Sequence, residues 1–112
     1  MNQHWLLFII RNRHLRKKVV KNRYLANFHR RIVSSCETAM PWLYDHTRVF
    51  DTVVTEETTD EFNRLLSRLE SKPFLIIFVP EGIMSADPSV AFVSGASELE
   101  TLLRNRFGTT ST

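Results

Sequence analysis

The chain has 112 residues, a formal net charge of +3, and 43% hydrophobic and 24% charged residues. That is the size and composition of one soluble globular domain and excludes a largely disordered chain. A single cysteine excludes an internal disulfide framework and a cysteine-rich zinc site, and fits a reducing, cytoplasmic setting.

The net charge hides an asymmetry. Residues 1–36 carry nine bases and no acid, whereas residues 37–112 carry six bases and twelve acids. Such a split implies two unlike faces or a partnership between the halves.

In chain order, "WLLFIIRN" from Trp5 is apolar and then abruptly charged, which predicts a strand buried on both faces. Its six apolar residues, Trp5 to Ile10, fall far short of the ~20 needed to cross a bilayer. The uncharged "MNQH" before it lacks the charge-first pattern of an export signal. Residues 11–21 read as loop or early helix. From Asn22 onward Tyr24, Leu25, Phe28, Ile32, Val33 and Cys36 share one side at helical spacing, which predicts a helix bounded by Pro41. "PWLYDH" reads as a connection and "RVFDTVVT" as a second strand.

Thr58 and Glu61 have capping-box spacing, and Phe62, Leu65, Leu66 and Leu69 follow at helical intervals, predicting a helix that stops near Ser71–Lys72. "FLIIFV" is a third strand, "PEGIMSADP" an open hairpin connection, and "SVAFVS" a fourth strand. Ser97 and Glu100 offer another capping box. Leu99, Leu102, Leu103 and Phe107 then line a final helix ending at Gly108. The expected order is β-α-β-α-β-β-α: a single α/β domain over 1–108 with a mixed four-stranded sheet flanked by helices, and a disordered tail at 109–112.

"KPFLIIFVPEG" and "SVAFVSGASELETLL" resemble the closing third of the thioredoxin-like fold. The resemblance implies that Pro73 stands at the family's cis-proline and Gly95 at its pre-helix glycine. The Cys-x-x-Cys pair that would follow the first strand is missing: that position reads "RNRHLRKK". Only a scaffold is implied, without redox activity.

No catalytic constellation emerges. Cys36 falls on an apolar helix side near the expected C-terminal end, where burial and the dipole both oppose a thiolate. His4, His14, His29 and His46 never stand three or four residues apart, so no helical metal pair exists, and His29 reads as a core or boundary histidine. Ser34 and Ser35 lack a nucleophile-elbow context. Glu56, Glu57, Asp60 and Glu61 sit at a helix start, where carboxylates are favoured without any metal, and lack the spacing of a calcium loop. The three glycines are scattered, so no phosphate-cradling loop or cofactor motif is present. The expectation is a protein that is not an enzyme and uses no metal or cofactor.

What remains is the basic segment Arg11, Arg13, Arg16, Lys17, Lys18, Lys21, Arg23, Arg30 and Arg31. Solvated helices usually mix charge signs, and nine like charges repel one another unless an anion offsets them. Six of the nine are arginines, whose planar fork suits phosphates and carboxylates. Nucleic acid is the first expected partner, without sequence-specific readout. The alternative is an adaptor or inhibitor docked on an acidic protein surface, as in phage or mobile-element proteins that block a host factor. Tyr24, Trp42 and Tyr44 are candidate partner contacts, with Leu43 and Met84 as further apolar anchors. Self-association between the unlike halves is a further expectation, and an anionic membrane surface is a weaker one.

Overall fold

The apolar run after His4 becomes the middle of a parallel sheet. The computed structural model of the chain describes residues 4–45, 49–69, 72–79 and 90–107. Within them five strands lie in the order β2-β1-β3-β4-β5: β1 (Trp5–Ile9), β2 (His29–Val33), β3 (Thr52–Thr55), β4 (Phe74–Phe78) and β5 (Val90–Val93). Every neighbouring pair is parallel. Among the described residues four α-helices accompany them: α1 (Arg13–Lys21), α2 (Cys36–Tyr44), α3 (Asp60–Arg68) and α4 (Ala96–Phe107).

Strand alternation sorts the core into two halves. Leu6, Phe8 and Ile10 face α1 and α4, packing with Val19, Leu25, Leu99 and Leu103. Leu7 and Ile9 face α2 and α3, packing with Ala39, Leu43, Phe62 and Leu65. Four of the five β1 positions are buried, as a central parallel strand requires. The three-layer arrangement, with strand order reversing beside β1, is the doubly wound flavodoxin-like topology. The Cα radius of gyration, 13.3 Å, is that of one domain of this length, about 13 Å.

This overturns the thioredoxin-like resemblance and the mixed four-stranded sheet. β4 and β5 are parallel neighbours, with Leu75 opposite Val90 and Phe78 opposite Val93, so no antiparallel hairpin joins them. The proline- and glycine-bearing connection, read as turn chemistry, lies outside the described residues, as do His46, Met84, Gly108 and the tail 109–112. Pro73 simply precedes β4, the parallel neighbour of β3. Gly95 joins β5 to α4, and apart from its chain neighbours no atom of the described residues lies within 4 Å of where a Cβ would stand.

The helix expected from Asn22 to Pro41 does not exist. Asn12 caps α1 instead, its Oδ1 accepting from the amides of His14 (2.9 Å) and Leu15 (3.2 Å). Asn22 closes α1, and its Oδ1 accepts from Leu25 N at 3.0 Å, starting a 3₁₀ turn over Leu25–Asn27. The chain then extends as β2. Ile32 belongs to one sheet face and Val33 to the other, so the shared helical stripe was coincidental spacing. Ser35 caps α2 by accepting from Thr38 N at 3.2 Å, and Pro41 lies inside that helix rather than bounding the preceding one. Trp42, Leu43 and Tyr44 are therefore helical, not a connection.

At α3 the cap is Thr59, accepting from Phe62 N at 3.1 Å, one residue after Thr58, and the helix ends at Arg68. α4 begins one residue before Ser97, with Glu98 accepting from Ser94 Oγ at 2.7 Å.

Candidate polyanion-binding surface

The nine bases do not form one face. α1 turns Leu15, Arg16 and Val19 inward and leaves Arg13, His14, Lys17, Lys18, Val20 and Lys21 exposed. Arg11, before the helix, and Arg23, after it, are exposed too. The other three are engaged by the fold. Arg16 is half-buried, donating from one terminal nitrogen to Ile10 O at 2.8 Å, and its Nε is buried with no partner among the described residues. Arg30 donates to Val19 O at 3.1 Å and Val20 O at 3.3 Å, satisfying carbonyls at the C-terminal end of α1. Arg31 points to the opposite sheet face and stacks on Trp42, 4.0 Å from the ring centroid.

None of the nine pairs with a carboxylate among the described residues, where Arg104 pairs with Glu100 at 2.9 Å and His4 Nδ1 lies 3.3 Å from Asp51, a contact that is ionic only with a protonated imidazole. α1 has no acid in its first turn. Lys18 and Lys21, in its last turn, suit the helix dipole, whereas Arg13 at its start opposes it. Helix stability therefore does not account for Arg13.

Beside this face runs a groove of about 650 Å³, with Lys18, Lys21 and Asn22 on one wall and residues 94–98 on the other. Asn22 Nδ2 donates to Glu100 Oε1 at 2.8 Å and ties the walls together. That bond, with the Arg104 guanidinium, holds the Glu100 carboxyl below the ordinary carboxylate range.

In doubly wound sheets ligands favour the crevice at the carboxyl ends of strands where the order reverses, here β1 and β3. Glu56, just beyond β3, occupies that place: its carboxylate accepts from the amides of Arg11 (3.2 Å) and Asn12 (3.1 Å). These loop amides, which could receive a phosphate, already hold an internal anion.

Cys36 lies close by, and its place differs from expectation. It is the first residue of α2, not near a helix C-terminus, so the dipole favours a thiolate there. Burial nevertheless dominates and pushes the thiol up, against the pull of the Thr59 backbone amide. The sulfur donates to Glu57 O at 3.6 Å. Its chemistry is that of a core thiol.

The three aromatic candidates separate. Tyr24 is 4% exposed, edge-on to Phe28 at 5.3 Å and covered by Arg104 at 4.2 Å, so its ring is core rather than contact surface. Tyr24's hydroxyl is pushed up by the same burial, with Arg104 opposing. Trp42 is half-buried beneath Arg31, and Tyr44 is exposed at the end of α2. Sequence reasoning missed His29, which is exposed on β2 with its ring stacked on Trp5 at 4.8 Å. The letters "HRRIV", three polar residues followed by two apolar ones, carry no alternation that could have signalled it.

Among the described residues no cluster of three or more histidine, cysteine or acidic side chains could hold a metal ion. No described helix is long and apolar enough to cross a membrane. No protein-family model, curated protein or solved structure matches this chain.

Proposed function

We propose that this chain is a non-enzymatic binding protein that holds a polyanion, nucleic acid in the first instance, on the outward face of α1. The observation that carries the reading is the exposed set Arg13, Lys17, Lys18 and Lys21, four cations on one nine-residue helix with no carboxylate partner among the described residues. Arg11 and Arg23 extend the set at either end. Such a surface attracts phosphates without reading bases. Glu56 in the strand-order crevice supports a surface-binding mode over a buried nucleotide.

A labelled duplex titrated by fluorescence anisotropy at several salt concentrations tests this. Engagement of four phosphates gives a log–log slope of about −3.6. An affinity indifferent to salt overturns the reading.

An acidic protein partner is the second reading, favoured by Val20, which is 46% exposed amid the α1 cations and would supply an apolar contact. Affinity capture with and without nuclease separates the two. A nuclease-resistant protein catch that requires Lys17 and Lys21 supports the second.

A further inference from the structure

We infer that the polyanion is single-stranded, and that its bases stack on the side of the β2 edge opposite α1. This rests on the polyanion reading and adds a second surface to it.

Among the described residues β2 lies at the edge of the sheet, and its alternation sends residues to two different places. Arg30 goes to the α1 side, binding the carbonyls of Val19 and Val20. His29 and Arg31 go to the other side, in register with Trp5 and Leu7 of β1. There each is backed by an indole. The His29 ring lies 4.8 Å from that of Trp5 at an interplanar angle of 19°, and the Arg31 guanidinium lies 4.0 Å over Trp42. Both outer groups are exposed. The edge thus presents two flat, cation-capable groups, each with an aromatic ring behind it, two residues or about 6.6 Å apart along the strand.

The chemistry of these groups selects the ligand. Imidazole and guanidinium planes stack on unpaired bases whatever their identity, and phosphates are drawn by the same positive charge. In a duplex each base face already lies against its neighbours, so the planes have nothing to receive. A flexible strand can lay its phosphates along α1, pass the edge at Arg30, and turn its bases onto Arg31 and His29. Two unlike surfaces, one cationic and one cationic with aromatic backing, then serve one ligand.

Trp5 and Trp42 are the only tryptophans in the chain, so its intrinsic emission reports this face. The full chain is titrated with an oligothymidylate and, separately, with a duplex of equal length. The oligothymidylate is expected to quench the emission and to bind at least fivefold more tightly. The paired substitution His29→Ala with Arg31→Gln is expected to remove that preference while leaving duplex affinity unchanged. In case this variant fails to fold, protection of the wild-type tryptophans from acrylamide by the oligothymidylate gives the same answer without mutation. Equal affinity for both ligands with unaltered emission and no protection overturns this inference and leaves the α1 reading standing. Binding of neither ligand removes both.

Discussion

Glu56 accepts the backbone N–H of Asn12 at 3.1 Å across the gap between the ends of β3 and β1. The same carboxylate takes the Arg11 amide, and Asn12 in turn caps α1 through its own side chain. The two residues therefore anchor the start of the basic helix in series. Asn12→Ala is expected to cost about 1 kcal/mol, the usual value of an N-cap. Glu56→Ala should cost about as much, through loss of charge-assisted bonds. Because both act on one helix start, the double variant should lose less than the sum. Urea unfolding of the four proteins measures this, and strict additivity would contradict the coupling.

Replacing Arg13, Lys17, Lys18 and Lys21 together by Ala should abolish most polyanion affinity and flatten the salt slope by about 3.6. The fold should be retained, since like charges at helical i,i+4 spacing repel by a few tenths of a kcal/mol, roughly 0.2–0.5 per pair. The melting temperature should hold or rise. A sharp fall would identify these side chains as structural.

Arg30 should behave in the opposite way. Its guanidinium satisfies the carbonyls of Val19 and Val20 rather than facing outward as the α1 lysines do. Arg30→Ala is expected to destabilise by about 1–2 kcal/mol, with the salt slope of binding preserved. Unfolding curves read beside the anisotropy series separate the two roles; unchanged stability would contradict the assignment.

Burial raises the Cys36 thiol. The folded state therefore holds the thiol proton more tightly than the unfolded chain. That contribution is fully present below the unfolded thiol value and is lost as pH climbs through the raised folded value. Stability should decline on the alkaline side, and Cys36→Ala should remove that part of the decline. In native protein the thiol should label with a disulfide reagent only slowly at neutral pH. Fast labelling without denaturant would show an open site.

Long apolar runs and capping signals were legible in the letters. "WLLFII" and "FLIIFV" could be little else than buried strands, and the helices ending at Arg68 and Phe107 carried their periodicity plainly. β2 was not legible because five residues rich in arginine, on a sheet edge, need little apolar content. Its neighbours Tyr24, Leu25, Phe28 and Cys36 happened to complete a helical stripe. The direction of β5 was hidden because its four residues are too short a run to tell a parallel neighbour from a hairpin partner. At the surface the cations themselves could be read, but their division could not. Arg30 is held by carbonyls ten and eleven residues away, and the amides of Arg11 and Asn12 find Glu56 forty-five and forty-four residues away. Such partners exist only once the chain has folded back on itself.

The central place of β1 bears on how the protein is made. Both of its edges are covered by strands that come later in the chain, β2 and β3, so on the ribosome this greasy stretch emerges well before β3 can close its second edge. At ordinary elongation rates that interval lasts a few seconds. The cations that follow it directly, beginning at Arg11, would keep the nascent segment hydrated and mutually repelling between neighbouring chains, so the charge proposed to hold a ligand would first guard synthesis.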